Sequence, residues 1–187
     1  ILDLVVYHNP GKNFQTISEM NVDEHVPYFY DDIAKNCIAL FAVELLLNFI
    51  VQDDTQPELF EYCYHYFENL AKAETHCISH FPLLFTIAIA RISGYSISGM
   101  YNTQNTYLDI HQGIFTDKIP TFPPIIDGQE AATISKVCNT PLLQLPTLNL
   151  TAAQRSSSLT LFLLFLELHV PNFRKLKSLS ILTTILH

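Results

Sequence analysis

From Ile33 to Phe49 apolar side chains recur at helical spacing on almost every side, and Glu44, Asn48 and Gln52 form a single narrow polar stripe. A helix this apolar must be covered by other elements. The segment is therefore expected to be the central, most buried helix of a larger helical core, opened by Asp31 and Asp32 at its positive end. A membrane span needs roughly 18 continuous apolar residues. The run from Ile38 to Val51 is broken by Glu44 and Asn48, and Leu159 to Leu168 is too short and contains Glu167. Both read as buried helices of a soluble protein. With 187 residues, 49% of them apolar and only 15% charged, the chain is long enough to build such a core without metal or disulfide staples.

Further helix signals follow in order. Thr55-Gln56-Pro57-Glu58 has capping-box spacing with proline in the first turn, and Phe60, Cys63, Phe67 and Leu70 continue it as a helix. Tyr62, Tyr64 and Tyr66 on that helix read as core and rim rather than as stacking platforms. A third helix is expected from about Ser79 through Leu83, Ile87 and Arg91, closed by Gly94. Residues 96–124 read as loop, with 107–115 open to an extended reading. Asp127-Gly128-Gln129-Glu130 and Thr151-Ala152-Ala153-Gln154 each place an oxygen-bearing cap three residues before Glu or Gln, so helices should start at both. The second should stop before Pro171, and a last helix from Leu176 to Leu186 should pack Leu179, Leu182 and Leu186 or Ile185 on the body.

The start of the chain is different. Leu2 to His8 is rich in strand formers, Asn9 to Asn13 is a turn cluster, and Phe14 to Met20 alternates, which predicts a β-hairpin. A lone hairpin is marginal in water, so other strands or the helical body should cover it. The fold class expected is mainly α, with residues 1–26 as a hairpin domain and 27–187 as a helical domain. The chain begins with Ile and shows no export signal, which fits a shortened chain with a cytoplasmic setting.

Charge narrows the function classes. The formal net charge of −8 argues against a surface built throughout for nucleic acid. After Glu130, however, Lys136, Arg155, Arg174, Lys175 and Lys177 face a single acid, Glu167. An anionic partner or DNA should be drawn there, with Arg155, Arg174, Lys175 and Lys177 as the candidate binding residues. Three cations near a chain end are more often a plain solvated face. Cys37, Cys63, Cys77 and Cys138 are never in C-x-x-C spacing and read as reduced core thiols. His76, Cys77 and His80 are the nearest approach to a metal cluster, but a structural zinc needs four ligands and no second pair stands near, so no metal or cofactor is expected. Carboxylate pairs at 23–24, 31–32 and 53–54 read as helix-end caps rather than acid-base pairs. Nucleotide-binding and hydrolase signatures are absent, so no catalytic residue is named. Glu44, inside an apolar run, needs a partner, and Arg91 is the candidate for a structural pair.

Read in order, Leu2-Asp3-Leu4-Val5-Val6-Tyr7-His8, Gly94-Tyr95, Tyr107-Leu108-Asp109-Ile110 with Gly113-Ile114-Phe115, and His169-Val170-Pro171-Asn172-Phe173 with Leu176-Lys177-Ser178-Leu179 resemble the landmarks of the bacterial RecO family. The resemblance spans essentially the whole chain. It implies a non-enzymatic recombination mediator of DNA repair, with an N-terminal OB-fold barrel and a helical C-terminal domain. It also implies strand annealing and recombinase loading, with RecR and the acidic, hydrophobic tail of single-stranded-DNA-binding protein as partners. Single- and double-stranded DNA would be ligands of the intact protein, in a cytoplasmic, nucleoid-associated setting. The hairpin would correspond to the last two strands of the barrel, most of which this chain lacks, and could pair with another copy as a strand-swapped oligomer. Some members carry a four-cysteine zinc module after the Gly-Tyr helix end, but residues 96–107 here contain no cysteine, so no zinc is expected. A helical adaptor unrelated to DNA is the alternative class, and an enzyme a distant third.

Overall fold

A computed structural model describes residues 2–22, 31–50 and 55–186. Strands β1 (Leu2–Tyr7) and β2 (Thr16–Val22) form the expected antiparallel hairpin, with Leu2 opposite Val22 and Leu4 opposite Met20. A register shift between Val5 and Val6 then brings Ile17, rather than Ser18, opposite Val6. Strand alternation therefore collects Leu2, Leu4, Val6, Ile17, Met20 and Val22 on one face. That face is not covered: every residue from 2 to 22 is exposed, and neither a further strand nor the helical body completes the hairpin among the described residues.

The remainder is mainly helical, as the sequence predicts. It contains α1 (Ile33–Leu46), α2 (Pro57–Lys72), a 3₁₀ segment (Thr75–His80), α3 (Phe81–Ile92), α4 (Gly128–Asn139), a second 3₁₀ segment (Leu142–Thr147), α5 (Ala152–His169) and α6 (Ser178–Leu186). α3 packs on α1, α2 and α5, while α6 lies on α1 and α4 on α5. Nine of the twelve α3 residues are buried, so α3 and not α1 is the central helix. α1 buries Ile38, Phe41, Ala42 and Leu45 on one side but leaves Ile33, Leu40 and Val43 exposed on the other, as are Leu47 and Ile50 in the turn that follows it. Apolar residues all round a helix say that it can be covered on every side, and here the fold covers one.

Helix ends follow the sequence signals unevenly. Asp32 caps α1 by accepting from the Lys35 N–H, and Thr151 and Gln154 form the full reciprocal capping box of α5. The predicted box at Thr55 does not form, because the cap of α2 is Gln56 and proline occupies the first turn. Asp127 caps α4 without a side-chain bond. At the end of α3, Gly94 at φ +83° lets its N–H bond to Arg91 O while Tyr95 N–H reaches Ala90 O, the paired bonds of a Schellman ending. Within the expected loop, the stretch open to an extended reading does form strands, β3 (Tyr107–Asp109) and β4 (Ile114–Thr116). With β5 (Ile126–Asp127) just after the loop they make a three-stranded antiparallel sheet in the order β4–β3–β5, which the sequence pattern did not show. Strands this short carry too few residues for alternation to reveal them.

Among the described residues no helix is long and apolar enough to cross a membrane. The four cysteines are free, but they are not uniformly core thiols. Cys63 is buried, Cys37 and Cys138 are half-buried, and Cys77 is exposed on the first 3₁₀ segment. The acid pairs at 23–24 and 53–54, together with Gln52, lie outside the described residues.

Candidate partner-binding surface

Glu44 does not meet Arg91. Its carboxylate accepts from the Lys177 N–H at 2.8 Å, the Ser178 N–H at 2.8 Å and the Ser178 hydroxyl, so it caps α6 from a neighbouring helix. Desolvation is the largest single influence on this carboxyl and pulls its pKa up. The Ser178 hydroxyl, the two backbone bonds and the Lys177 charge together outweigh it and leave Glu44 below its ordinary value. One turn on, Asn48 Oδ1 accepts from the Arg174 N–H at 2.6 Å. What the sequence shows as a polar stripe on α1 is therefore a clasp for residues 174–178. Arg91 serves a different end: its guanidinium donates to the carbonyls of Val137, Cys138 and Thr140, closing the C-terminus of α4. In both cases the buried demand is met by backbone groups, which a search for opposite charges misses.

The clasp fixes where the candidate cations stand. Arg174, Lys175 and Lys177 are all exposed, on the turn between α5 and α6 beside the last turn of α1. Lys175 Nζ lies 3.7 Å from Glu167 Oε1, an exposed pair of little energetic weight. Arg155 does not join them. It lies near the start of α5, twelve residues or about 18 Å of helix before Glu167. There it donates to Leu150 O at 2.7 Å.

Arg155 instead borders a small groove of about 50 Å³ between α3, α5 and α6. Pro82, Leu83, Leu159 and Leu182 supply its apolar wall, and Ser79 and Thr183 line it as well. His80 is nearby, and burial first and the Arg155 charge second hold its imidazole below the ordinary value. The site therefore joins apolar surface to one fixed cation, with a neutral ring beside it at pH 7. Such a combination takes a ligand with both an apolar side chain and an anionic group. Sequence reasoning found Arg155 but not the groove, because its wall comes from three helices distant in sequence.

The other singled-out groups take structural places. Among the described residues no three His, Cys, Asp or Glu side chains gather to hold a metal ion. His76 and Cys77 are exposed on the 3₁₀ segment, and His76 Nδ1 faces Glu74 at 3.3 Å. Burial pushes the Cys63 thiol up to about 11 and that of Cys138 to about 12, the latter in spite of Arg91, so neither is a ready nucleophile. Tyr66 is buried, with its hydroxyl on Phe81 O, and Tyr62 and Tyr64 lie partly covered beside it, core and rim as expected.

Comparison with known proteins adds the decisive observation. The family model described as "Recombination protein O C terminal" matches residues 30–180, most of the chain and nearly all of the helical body. The chain belongs to the RecO C-terminal family. It is similar to the DNA repair protein RecO of Christiangramia forsetii, with 27% identity over 184 residues, covering 98% of this chain and 75% of that protein. A second relative, the DNA repair protein RecO of Azobacteroides pseudotrichonymphae, is 22% identical over 185 residues, covering 99% and 76% respectively. No solved structure matches. Several of the residues that carry the RecO resemblance hold the helical body together. Gly94 and Tyr95 end α3. Gly113, at φ +66°, turns between β3 and β4 where a Cβ would come within 2.9 Å of Phe165. His169 Nε2 donates to Ile110 O at 3.0 Å, tying the end of α5 to that same turn, and Asn172 takes a left-handed φ of 57°.

Proposed function

We propose that this chain acts in DNA repair as the partner-binding part of a RecO-type recombination mediator. It contributes to strand annealing and recombinase loading without catalysing a reaction of its own, in the cytoplasm at the nucleoid. Its partners are a RecR-like protein and the acidic, hydrophobic C-terminal tail of single-stranded-DNA-binding protein. Residues 27–187 form the interaction domain, and residues 1–26 belong to an OB-fold unit that contacts single- and double-stranded DNA in the intact protein. The hairpin edges can exchange strands with another copy of the chain. Family membership supports the DNA-repair setting. The single observation behind the tail-binding reading is the groove in which Arg155 stands beside Pro82, Leu83 and Leu182. A tail that ends in an apolar residue and carries acids fits that chemistry, since the apolar group fills the groove and the acids meet Arg155.

The test is a fluorescence titration of the chain with a peptide copying that tail, at two salt concentrations. Two variants are compared, Arg155→Ala and the triple Arg174→Ala/Lys175→Ala/Lys177→Ala. Binding should weaken with salt and drop about tenfold in the Arg155 variant, as for loss of one partly desolvated charge pair. Loss in the triple variant alone would move the site to the turn after α5. Absence of binding by the native chain would reject the tail reading and favour a helical adaptor with other partners.

A further inference from the structure

A cavity beside the three-stranded sheet has no part in the tail-binding reading. It measures about 350 Å³ and lies between the turn after β3 and the loop that follows β4. Asp109, which lines it, is the one buried carboxylate among the described residues, 8% exposed. Its Oδ1 accepts from the His111 N–H at 3.0 Å and the Gln112 N–H at 3.1 Å, which closes the turn. Its Oδ2 accepts from no group among the described residues, and Asp109 makes no ion pair there. The side-chain atoms sealed off without a partner are the hydroxyls of Ser93 and Ser158. Oδ2 is therefore not sealed, and it opens on the cavity.

A carboxylate nine-tenths removed from water, with half of its acceptor capacity unused, is costly unless a cation meets it. Asp117 stands exposed on the same cavity, and its Oδ1 accepts only from the Thr116 hydroxyl, at 3.5 Å. A bare metal ion calls for a closer set of oxygens, and no three His, Cys, Asp or Glu side chains gather here. Nucleic acid would set its phosphates against both carboxylates. A guanidinium suits the walls better. It is planar, always charged, and carries five N–H donors in a fork that one or two carboxylates can take, whereas an ammonium is a point charge. Gln112 and Thr121 offer further acceptor oxygens, and Ile119, 67% exposed, offers apolar surface for an aliphatic stem.

We propose that this cavity receives an arginine side chain of a protein partner, with Asp109 and Asp117 as its anionic seat. The partner is thus basic at this contact, in contrast to the acidic tail assigned to the Arg155 groove. The two sites share no residue, so the failure of either leaves the other standing. Lys118 also borders the cavity; its exposed ammonium makes no ion pair among the described residues, and it opposes the incoming charge.

The test is a titration of the full chain with N-acetylarginine amide, followed by the amide NMR signals of residues 109–121. Shifts should be confined to that segment and saturate with a dissociation constant of about 1 mM, as suits one anchored side chain. The uncharged isostere N-acetylcitrulline amide should leave the signals in place. Asp109→Asn keeps an oxygen for the turn and removes the charge. That variant and Asp117→Asn should each weaken binding about tenfold, and Lys118→Ala should tighten it about twofold. Absence of saturable shifts up to about twenty times that concentration overturns the proposal, as does equal binding of the citrulline probe. Saturation of the same signals by magnesium chloride at lower concentrations than the arginine probe needs also overturns it, in favour of a metal site.

Discussion

Leu4, Val6, Met20 and Val22 in the hairpin are as apolar as Phe41, Leu70 and Phe85 in the helical body, yet the first four are each more than 40% exposed and the last three are fully buried. Both regions are regular, and both satisfy their backbone groups locally. They differ in layers. The body stacks α3 between α1, α2 and α5, so an apolar side chain on the inward face of any of these helices meets another helix. The hairpin is a two-stranded sheet whose face meets no second layer among the described residues. Local pattern can make an element amphipathic, but only a second layer turns that pattern into stability.

That contrast can be broken, and the largest expected effect lies in the body. Phe85→Ala removes a fully buried ring that packs 4.5 Å, centre to centre, from Tyr66, and should cost about 3–5 kcal/mol in urea unfolding. A cost below about 1 kcal/mol would mean that α3 is not the centre of the core. Arg91→Ala deprives three carbonyls at the end of α4 of their donor and should cost about 2 kcal/mol. Arg91→Lys should recover little of that loss, because an ammonium cannot spread over three carbonyls as the guanidinium fork does.

Glu44 should come next. Glu44→Gln weakens the cap on α6 and should cost about 1 kcal/mol at pH 7. The sign of its pH dependence is fixed by the lowered pKa. The contribution is present above the unfolded-state value, near 4.5, and is lost as the pH falls through the lower folded-state value. Unfolding midpoints of native chain and variant should thus differ at pH 7 and converge toward pH 3. A constant gap would show that the carboxylate charge has no part in the clasp. The smallest effect is expected in the hairpin, where Val6→Ser or Met20→Ser should change the global unfolding free energy by no more than about 0.5 kcal/mol. A larger loss would show that the hairpin face has a partner in solution, which would remove the contrast between the two regions.

Much of the body was legible in advance because its signals are local. The Gly94 ending, the capping box at Thr151, the stop before Pro171 and the hairpin turn at residues 9–13 depend on a few neighbouring residues, and each stands where its chemistry requires. The capping-box spacing at Thr55 shows the limit of such signals, since proline at the next-but-one position moved the helix start to Pro57. The candidate site was legible only as a charge imbalance. Arg155 and the three cations at 174–177 are alike in the sequence, but α5 separates them by most of its length.

By itself, the sequence determined the hairpin and the helices, most helix ends, the reversal of charge after Glu130 and the order of landmarks shared with RecO. Tertiary structure decided which apolar face is covered, that Glu44 holds α6, that Arg91 closes α4, and that Arg155 borders a groove. The physical reason is range. Caps, turns and periodicity are set within about one helical turn of chain, whereas burial and the partners of a buried charge depend on residues up to 134 positions away, as between Glu44 and Ser178.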